Sequence, residues 1–261
     1  MWVIKRSGER EQFDSNKAKA AVMRAGVPRG EADDVVEGLL PQLYDGITTE
    51  EIYRRIHQTL EKGEAARYGL KKAILRLGPE GWHFETFIAR LLTAEGYSVR
   101  VRQILDGECV SHEVDATAEK EYERLMVECK FHNSLGIKCA IQCALMAQAR
   151  FLDLRERNGI TRPCLVTNTR FTSDVVRYAN CTGMDLLSWR WPEDAGLELL
   201  VEKHRLYPTT VLDLGRHDLA MLLDNDLILV KELLERRRDV ATILSRASAE
   251  KALRLAEDAL H

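Results

Sequence analysis

The strongest constraint on this chain is a charged pair inside an otherwise apolar strand, Leu-Met-Val-Glu128-Cys-Lys130-Phe. Side chains alternate between faces along a strand, so Glu128 and Lys130 share one face. A strand that begins near Ser111 precedes this one across a polar turn, and folding back can bring Asp115 opposite the pair. Burying unpaired charge inside a domain is costly. The pattern therefore favours a functional site.

Two carboxylates and an ammonium group would converge in this arrangement. Carboxylates repel each other unless positive charge lies between them, and a hard divalent cation with oxygen ligands supplies that charge. The alternative is structural: Asp115 can simply end a strand, while Glu128 and Lys130 can form a pair that faces solvent. The apolar residues on both sides of the pair favour the metal site.

Length and composition limit the possible classes of protein. The 261 residues suffice for one large domain or two to three smaller ones, and 45% hydrophobic with 30% charged residues is typical of a soluble protein. We expect a cytoplasmic protein without a membrane span, because no apolar run reaches spanning length and the N-terminus lacks a signal-peptide pattern. The six cysteines have no zinc spacing. With a net charge of −3, any polyanion site must be local.

The first 78 residues predict a β-hairpin followed by four helices. Trp2 to Arg6 and Arg10 to Phe13 form the strands around a Ser7-Gly8 turn. Thr48 and Glu51 have the spacing of a capping box. The helices are predicted at residues 15–26, 31–44, 49–61 and 65–77.

This segment resembles the ATP cone, the regulatory nucleotide-binding domain of ribonucleotide reductases and of a bacterial repressor of their genes. The matching motifs are Val3-Ile-Lys-Arg-Ser-Gly8, Phe13-Asp-x-x-Lys17, Thr48-Thr-Glu-Glu-Ile52 and the closing stretch from Ala66 to Leu77. They cover nearly all of residues 2–77 in order. Ser7 replaces the usual aspartate of the turn, and Tyr53 stands where some members have histidine.

The resemblance implies that ATP or dATP binds here. Lys5, Arg6 and Lys17 would face the phosphates, and Glu11 and Thr49 would lie at the sugar and phosphate region. Clustered cations near a helix N-terminus suit a triphosphate. Without the resemblance, solvated surface charges would be the preferred interpretation. No Walker A loop is present, so binding rather than hydrolysis of the nucleotide is expected.

Residues 79–190 predict a second domain. A helix with one apolar stripe carries Glu85 beside that stripe, and strands follow from Ser98 to Leu105 and through the two strands described above. Next come a helix from Lys138 to Leu154 and further strand and helix segments. The order predicts an antiparallel meander followed by crossover connections, which is a mixed sheet flanked by helices.

This order resembles the PD-(D/E)xK nuclease superfamily, in particular its Mrr-like restriction endonuclease branch. The motifs are Gly81-x-x-Phe84-Glu85, Gly96-Tyr97, His112-Glu-Val-Asp115 and Glu128-Cys-Lys130. The resemblance implies hydrolysis of phosphodiester bonds with Mg²⁺ or Mn²⁺.

Each residue then has an implied role. Asp115 and Glu128 would be the metal ligands, Lys130 would orient the attacking water or stabilise the transition state, and Glu85 would support a second metal ion or a bound water. We expect His112 and His132 to position phosphate or the loop, and Gln142 to support the site.

The last segment, residues 191–261, predicts a helical tail after a linker-like Trp191-Pro-Glu-Asp-Ala-Gly196. Part of it is similar to helix-hairpin-helix-like modules, and Glu235-Arg-Arg-Arg238 is a small basic cluster. The tail contains 10 basic and 14 acidic residues, which disfavours strong DNA binding by itself. A dimerisation or core-capping unit is an equal alternative.

We therefore predict an α/β protein with three domains: an ATP cone over residues 1–78, a PD-(D/E)xK nuclease-like domain over 79–190 and a helical tail over 191–261. The predicted function is metal-dependent endonuclease cleavage of DNA, regulated by ATP or dATP, in a homo-oligomer that does not bind membranes. The first alternative is a non-catalytic, nucleotide-sensing DNA-binding regulator. The second is a nuclease that acts on RNA or branched DNA, because loops and shape rather than the motif determine the substrate.

Overall fold

The structure is a computed structural model that describes residues 1–5, 8–134 and 136–260, apart from the side chains of Lys62 and Ala66. The chain forms two compact units. The first unit consists of Met1–Ala73 together with Thr209–His261, and the second consists of Ile74–Pro208. Each unit is described by itself below.

The N-terminal part of the first unit contains a small sheet with the order β2-β1-β3. Its strands are β1 (Trp2–Ile4), β2 (Arg10–Gln12) and β3 (Ile47–Thr48). The hairpin partner β2 is antiparallel to β1, whereas β3 is parallel to it, with Ile4 opposite Thr48. The predicted hairpin is therefore present, and it has a third strand that the sequence pattern did not indicate.

Helices α1 (Ser15–Arg24), α2 (Arg29–Leu39), α3 (Thr49–Thr59), α4 (Lys62–Tyr68) and α5 (Leu70–Leu75) accompany this sheet. Asp14 caps α1 by accepting the N–H groups of Asn16 and Lys17, and the Thr48 hydroxyl caps α3 by accepting the N–H of Glu51 at 3.1 Å. The buried core of this part includes Val3, Val22, Val36, Ile47 and Ile56. The single helix predicted over residues 65–77 is two helices, α4 and α5, joined at Gly69.

The C-terminal part of the chain belongs to the same compact unit as the hairpin and its helices. It contains α10 (Arg216–Asp224), α11 (Val230–Glu235), α12 (Arg237–Ile243) and α13 (Arg246–Leu260). One face of α13 buries alanines, and this helix packs on α4 and α11. The Thr210 hydroxyl donates to the carbonyl of Ala73 at 2.7 Å in the interior. These contacts make the part of the predicted tail from Thr209 onward an integral part of the first unit, whereas residues 191–208 belong to the second unit.

The second unit is built on a mixed sheet with the order β10-β8-β6-β5-β4. Strands β4 (Ser98–Asp106), β5 (Ser111–Lys120) and β6 (Glu123–Lys130) form an antiparallel meander, and β8 (Arg162–Thr167) and β10 (Asp185–Leu187) continue it in parallel with β6. Short strands β7 (Lys138–Cys139) and β9 (Arg170–Phe171) form a separate pair. The predicted α/β class and mixed sheet are confirmed.

Helices cover the sheet: α6 (Trp82–Ala94), α7 (Ile141–Asn158), α8 (Ser173–Thr182) and α9 (Leu197–His204). The apolar stripe of α6 is buried as its spacing predicts, with Phe84, Phe87, Ile88 and Leu91 fully covered. A further core contains residues of α7, α8 and the sheet, namely Met126, Ala147, Phe151, Leu154, Leu165 and Val175. Among the described residues, no helix is both long and apolar enough to cross a membrane.

The turn between β4 and β5 is fastened to α7 by one carboxylate. Asp153 accepts the N–H groups of Cys109 and Val110 at 2.8 and 3.2 Å, and it lies 2.7 Å from Nε2 of His112. Gly107 is required because a Cβ there would lie 2.2 Å from Asp153 Oδ2. The hydrogen bond from His112, followed by the backbone and side-chain bonds of the turn, lowers the pKa of Asp153 to about 2.

We expect the substitution Asp153→Asn, which lies in the second unit, to lower the urea concentration at the midpoint of unfolding at neutral pH relative to the natural protein. Because the folded-state pKa is depressed, the stabilisation is complete above the ordinary aspartate pKa of about 4 and is lost as pH falls through about 2. The difference between the two proteins should therefore shrink over that range. Asp174→Asn, at an exposed ion pair on α8, is the matched control. If the difference in unfolding midpoint between the two proteins were independent of pH, the ionised carboxylate of Asp153 would not be what stabilises the turn.

Candidate active site

Asp115 lies where β5 separates from β6. The ladder between these strands begins at the pair Ala116–Val127, directly after Asp115 in the chain, and the part of β5 that precedes Ala116 pairs with β4 alone. On β4, Arg102 is opposite Asp115 and adopts a left-handed φ of 48°, which interrupts the strand pleat there. The Asp115 carboxylate accepts the N–H of Cys129 at 2.7 Å. This bond fixes the carboxylate against the strand that carries Glu128 and Lys130.

Glu128 and Lys130 lie at the carboxyl end of β6, between β5 and β8. Glu128 is half-buried, and Lys130 is exposed at the last position of the strand. The Lys130 carbonyl accepts the Thr167 hydroxyl at 2.8 Å, which anchors the strand end to β8. The ammonium charge of Lys130 favours the ionised form of both Asp115 and Glu128 and so limits the increase in their pKa values that burial causes. The three predicted residues are therefore brought into one cluster.

Arg150 of α7 donates a hydrogen bond to the Glu128 carboxylate and forms an ion pair with it. Burial nevertheless raises the pKa of Glu128 to about 7, with the charge of Asp115 adding to the increase and Arg150 opposing it. Burial also raises the pKa of Asp115, against the lowering effect of the Cys129 N–H. Burial thus disfavours the ionised form of both carboxylates more than the neighbouring cations favour it.

Glu85 extends the acidic cluster from α6. Burial raises its pKa to about 7, and the neighbouring Asp115 is the next largest cause. Arg102 opposes the shift, whereas Glu113 and Glu128 add to it. The Glu85 carboxylate is therefore within electrostatic range of Asp115 and Glu128, although among the described residues these three side chains do not form a group that could hold one metal ion.

The donor set fits a hard divalent cation in charge and in ligand type. Asp115 and Glu128 supply carboxylate oxygens, and burial without sufficient positive charge raises both of their pKa values. In the part of the chain that the structure describes, no three His, Cys, Asp or Glu side chains form a ready-made metal cluster. The arrangement therefore offers two carboxylates, of which one is bonded to Arg150.

The other residues predicted near the site have different surroundings. His112 is bonded to Asp153, which assigns it to the β4–β5 turn. His132 follows β6, and its backbone N–H and carbonyl are both bonded to the Asn168 side chain, at 2.8 and 2.9 Å. Burial lowers the pKa of His132. Gln142 is exposed on the first turn of α7.

Four of the five residues predicted to bind nucleotide lie among the described residues, around the end of β1 in the first unit. Lys5 Nζ lies 2.8 Å from Glu11 and 3.1 Å from Glu9, and Lys17 Nζ lies 4.0 Å from Glu11. The hydrogen bond to Glu11, followed by that to Glu9, raises the pKa of Lys5. Thr49 begins α3, directly after the strand that pairs with β1. Lys5, Glu11, Lys17 and Thr49 are thus neighbours.

Further features of the first unit bear on the predicted nucleotide site. Arg6 and Ser7 lie outside the described residues. A cavity of about 430 Å³ lies between α2 and α3, and none of Lys5, Glu11, Lys17 and Thr49 lines it. Tyr53 stacks on Tyr68 with ring centroids 5.0 Å apart, and Lys72 Nζ lies 3.3 Å from the Tyr53 ring centroid.

Comparison with protein families matches both halves of this architecture. Residues 1–75 match the model of the ATP cone domain, and residues 79–189 match the Mrr-type model described as a restriction endonuclease. The chain carries an N-terminal ATP cone domain followed by an Mrr-type restriction endonuclease domain. Both suspected resemblances are therefore confirmed.

Similar proteins extend this assignment. A protein of Archaeoglobus fulgidus described as uncharacterized is 38% identical over 146 residues, which are 56% of this chain and 83% of that protein. A crystal structure described as a protein of unknown function is similar with a TM-score of 0.64 and 33% identity. This similarity covers 69% of this chain and 98% of the other.

Arg150 is the residue of the restriction endonuclease domain that the sequence interpretation missed. Helix α7 buries Ala144, Ala147, Phe151 and Leu154, and Arg150 lies directly beside that stripe. Glu85 is selected through the motif Gly81-x-x-Phe84-Glu85 of the nuclease resemblance, whereas Arg150 shares with it only the position of a charged residue beside an apolar stripe. The sequence thus contained a signal for it, although it did not identify Glu128 as the partner.

Proposed function

We propose that this chain is an endonuclease that hydrolyses DNA phosphodiester bonds with Mg²⁺ or Mn²⁺ and that ATP or dATP regulates it. The observation that carries the proposal is the bond from the Cys129 N–H to Asp115, which places one carboxylate against the strand end that presents Glu128 and Lys130. The match to the restriction endonuclease model supports the same chemistry.

Asp115 and Glu128 would hold the cation, which when bound supplies an acidified water and charge neutralisation at the scissile phosphate. Lys130, exposed at the end of β6, donates hydrogen bonds to the phosphate oxygens and stabilises the charge that they gain in the transition state. Glu85 orients the attacking water from α6. Arg150 neutralises part of the charge of Glu128, a role that the cation would take over when bound.

The test is incubation of the purified full-length chain with supercoiled, linear and single-stranded DNA, with and without Mg²⁺ or Mn²⁺. We expect nicking or linearisation that stops when the cation is chelated and returns when it is restored. Absence of cleavage on every DNA substrate in the presence of either cation would overturn the proposed function. An RNA and a branched DNA substrate in the same series test the second alternative, which is a nuclease that acts on RNA or branched DNA.

A non-catalytic DNA-binding regulator is the alternative function, and one observation favours it. Arg150 already neutralises part of the Glu128 charge, and the two carboxylates stand without a third ligand among the described His, Cys, Asp and Glu side chains. This alternative predicts DNA binding that depends on nucleotide, with no cleavage and no effect of Lys130→Ala on binding. Cleavage that Lys130→Ala abolishes would exclude it.

For the ATP cone, we propose that Lys5, Arg6, Glu11, Lys17 and Thr49 contact the nucleotide. Lys5 is balanced by Glu9 and Glu11, so a triphosphate must compete with these carboxylates, whereas Lys17 is mostly exposed. We also propose that the sequence boundaries of the ATP cone and of the nuclease-like domain lie at residues 78 and 190, although the residues from Thr209 onward pack in the first unit, and that the chain assembles as a homo-oligomer.

We expect Lys17→Gln to weaken binding of ATP and dATP about fivefold, as the loss of one exposed charge-assisted contact implies. Isothermal titration of the full-length chain measures this. Arg29→Gln, which removes an exposed cation at the start of α2, is the control and should bind nucleotide normally. Equal losses in both variants would indicate a general charge effect rather than a contact.

A further inference from the structure

A second pocket lies in the restriction endonuclease domain, apart from the acidic cluster. Its volume is about 220 Å³, which is small compared with the ~300–1,000 Å³ of sites for drug-sized ligands. It is formed where β9 leads into α8 and where the chain turns after β10. The lining residues are Arg170, Phe171, Val176, Ser188, Arg190 and Trp191.

Strand register places this pocket on the same edge of the sheet as Lys130. Lys130 pairs with Thr167, and Leu187 pairs with Val166, so Ser188 continues the row that contains Lys130 and Thr167. The three strands are parallel, and residues in one row present side chains on the same face. Ser188 therefore lies about 10 Å from Lys130, which corresponds to two strand spacings.

The lining combines cations with aromatic rings. Arg170 is exposed, and no described carboxylate forms an ion pair with it, whereas Nε of Arg190 is held 2.8 Å from Glu198. Phe171 and Trp191 are half-buried and line the cavity, and Phe171 also packs against the core of α7, α8 and the sheet. Ser188 also lines the cavity and is only 2% exposed, so this polar residue has little access to solvent.

The turn that carries Arg190 and Trp191 is built firmly. Ser188 and Trp191 form a bridge in which the Ser188 N–H donates to the Trp191 carbonyl at 2.7 Å. Gly196 packs against this turn so closely that a Cβ would lie 2.8 Å from the Cα of Arg190. The ring of Trp191 is therefore presented by backbone that packing holds in place.

We propose that this pocket takes one unpaired nucleobase of the nucleic acid strand, with the adjacent phosphate held by Arg170 and Arg190. An aromatic ring stacks on a base of any identity, and a planar guanidinium pairs with a phosphate. The cavity has room for a single base and not for a base pair. This inference rests on the proposed function and adds to it a preference for strands in which a base is unstacked.

The distance between the pocket and the acidic cluster predicts which forms of DNA bind most tightly. A strand whose scissile phosphate lies at Lys130 would place a base only a few nucleotides away at the pocket. Inside an intact duplex that base must be unpaired first, at an unstacking cost of a few kcal/mol. Single-stranded, frayed or mismatched DNA avoids this cost and should bind more tightly.

The test measures binding of the full-length chain to fluorescent oligonucleotides in the presence of EDTA, so that metal-dependent cleavage does not interfere. The ligands are a single strand, the matching duplex and a single strand that carries abasic sites. We expect the natural protein to bind the normal single strand about tenfold more tightly than the abasic strand, since one base stacking interaction is worth ~1–3 kcal/mol.

Two variants remove the pocket in different ways. Val176→Trp fills the cavity from α8, and Arg170→Gln with Arg190→Gln removes both cations while leaving the buried residues intact. Arg155→Gln with Arg177→Gln is the charge-matched control at exposed positions outside the lining. We expect Val176→Trp to lose the discrimination between normal and abasic strands, the double arginine variant to bind both strands about tenfold more weakly, and the control to match the natural protein.

The outcomes separate this proposal from the proposed function. Discrimination retained in Val176→Trp, with the protein still folded by circular dichroism, overturns the pocket assignment even if Mg²⁺-dependent cleavage is observed. Conversely, base-dependent binding that Val176→Trp abolishes supports the pocket even if no DNA is cleaved, in which case only the proposed hydrolysis fails.

Discussion

Asp115→Asn is expected to lower Mg²⁺-dependent cleavage of DNA about 10³-fold, a loss of the size seen when a principal electrostatic contact to the transition state is removed. Asparagine has nearly the same shape, and its amide oxygen can still accept the Cys129 N–H that Asp115 accepts at 2.7 Å. The backbone around the site should therefore persist. What the variant lacks is the negative charge that attracts a divalent cation.

The measurement is the single-turnover cleavage rate on supercoiled DNA, together with Mn²⁺ binding followed calorimetrically. Asp106→Asn is the matched control, because Asp106 ends β4 and its carboxylate accepts the Ser111 hydroxyl, away from the acidic cluster. We expect the control to cleave at the natural rate. Cleavage and cation binding that survive Asp115→Asn would remove Asp115 from the site and with it the proposed mechanism.

The second large effect is expected at Arg150, and it has the opposite sign. Arg150→Met should tighten binding of Mn²⁺ about tenfold, because the cation no longer competes with a guanidinium for Glu128. The experiment should be carried out well above pH 7, since the pKa of Glu128 is about 7 with Arg150 present and rises further when Arg150, which lowers it, is removed, so that protonation would otherwise mask the gain. Methionine retains the apolar part of the side chain, so α7 should pack normally.

Arg155→Met is the control for this variant. Arg155 lies on the same helix, and its ion pair is with the adjacent Glu156 rather than with the acidic cluster. Cation affinity should be unchanged there. If Arg150→Met binds Mn²⁺ no more tightly than the natural chain, Arg150 does not compete with the metal, and its bond to Glu128 would serve only to position that carboxylate.

The sheet and its acidic residues could be predicted because their signals are local in the sequence. The pair Glu128 and Lys130 interrupts an apolar strand, and the apolar stripe of α6 is regular, with Phe84, Phe87 and Leu91 buried as spacing predicts. The hydrogen-bonding position of Asp115 then follows from the register of two adjacent strands. Local pattern and strand order together were sufficient for this part of the molecule.

Other features depend on contacts between distant segments, and sequence pattern does not report these. The tail joins the first unit through contacts such as Thr210 with Ala73, which are 137 positions apart. Trp191 to Gly196 has the composition of a linker, yet Gly196 packs tightly on the turn at Arg190. The bond of Arg150 to Glu128 spans 22 positions and two elements. In each case the local sequence is compatible with packing against several other segments, so it does not determine which segment is contacted.

The hydrogen bond between Thr210 and Ala73 has a consequence for the engineering of this protein. The first unit is continuous in space but interrupted in sequence, since the chain leaves it after Ala73 and re-enters it at Thr209. In sequence, the second unit is thus an insertion into the first, and residues at its two junctions are joined by a 2.7 Å hydrogen bond. Deleting residues 74–208 and joining the ends with a short glycine–serine bridge should yield a foldable nucleotide sensor. The same junction would accept a different catalytic cassette.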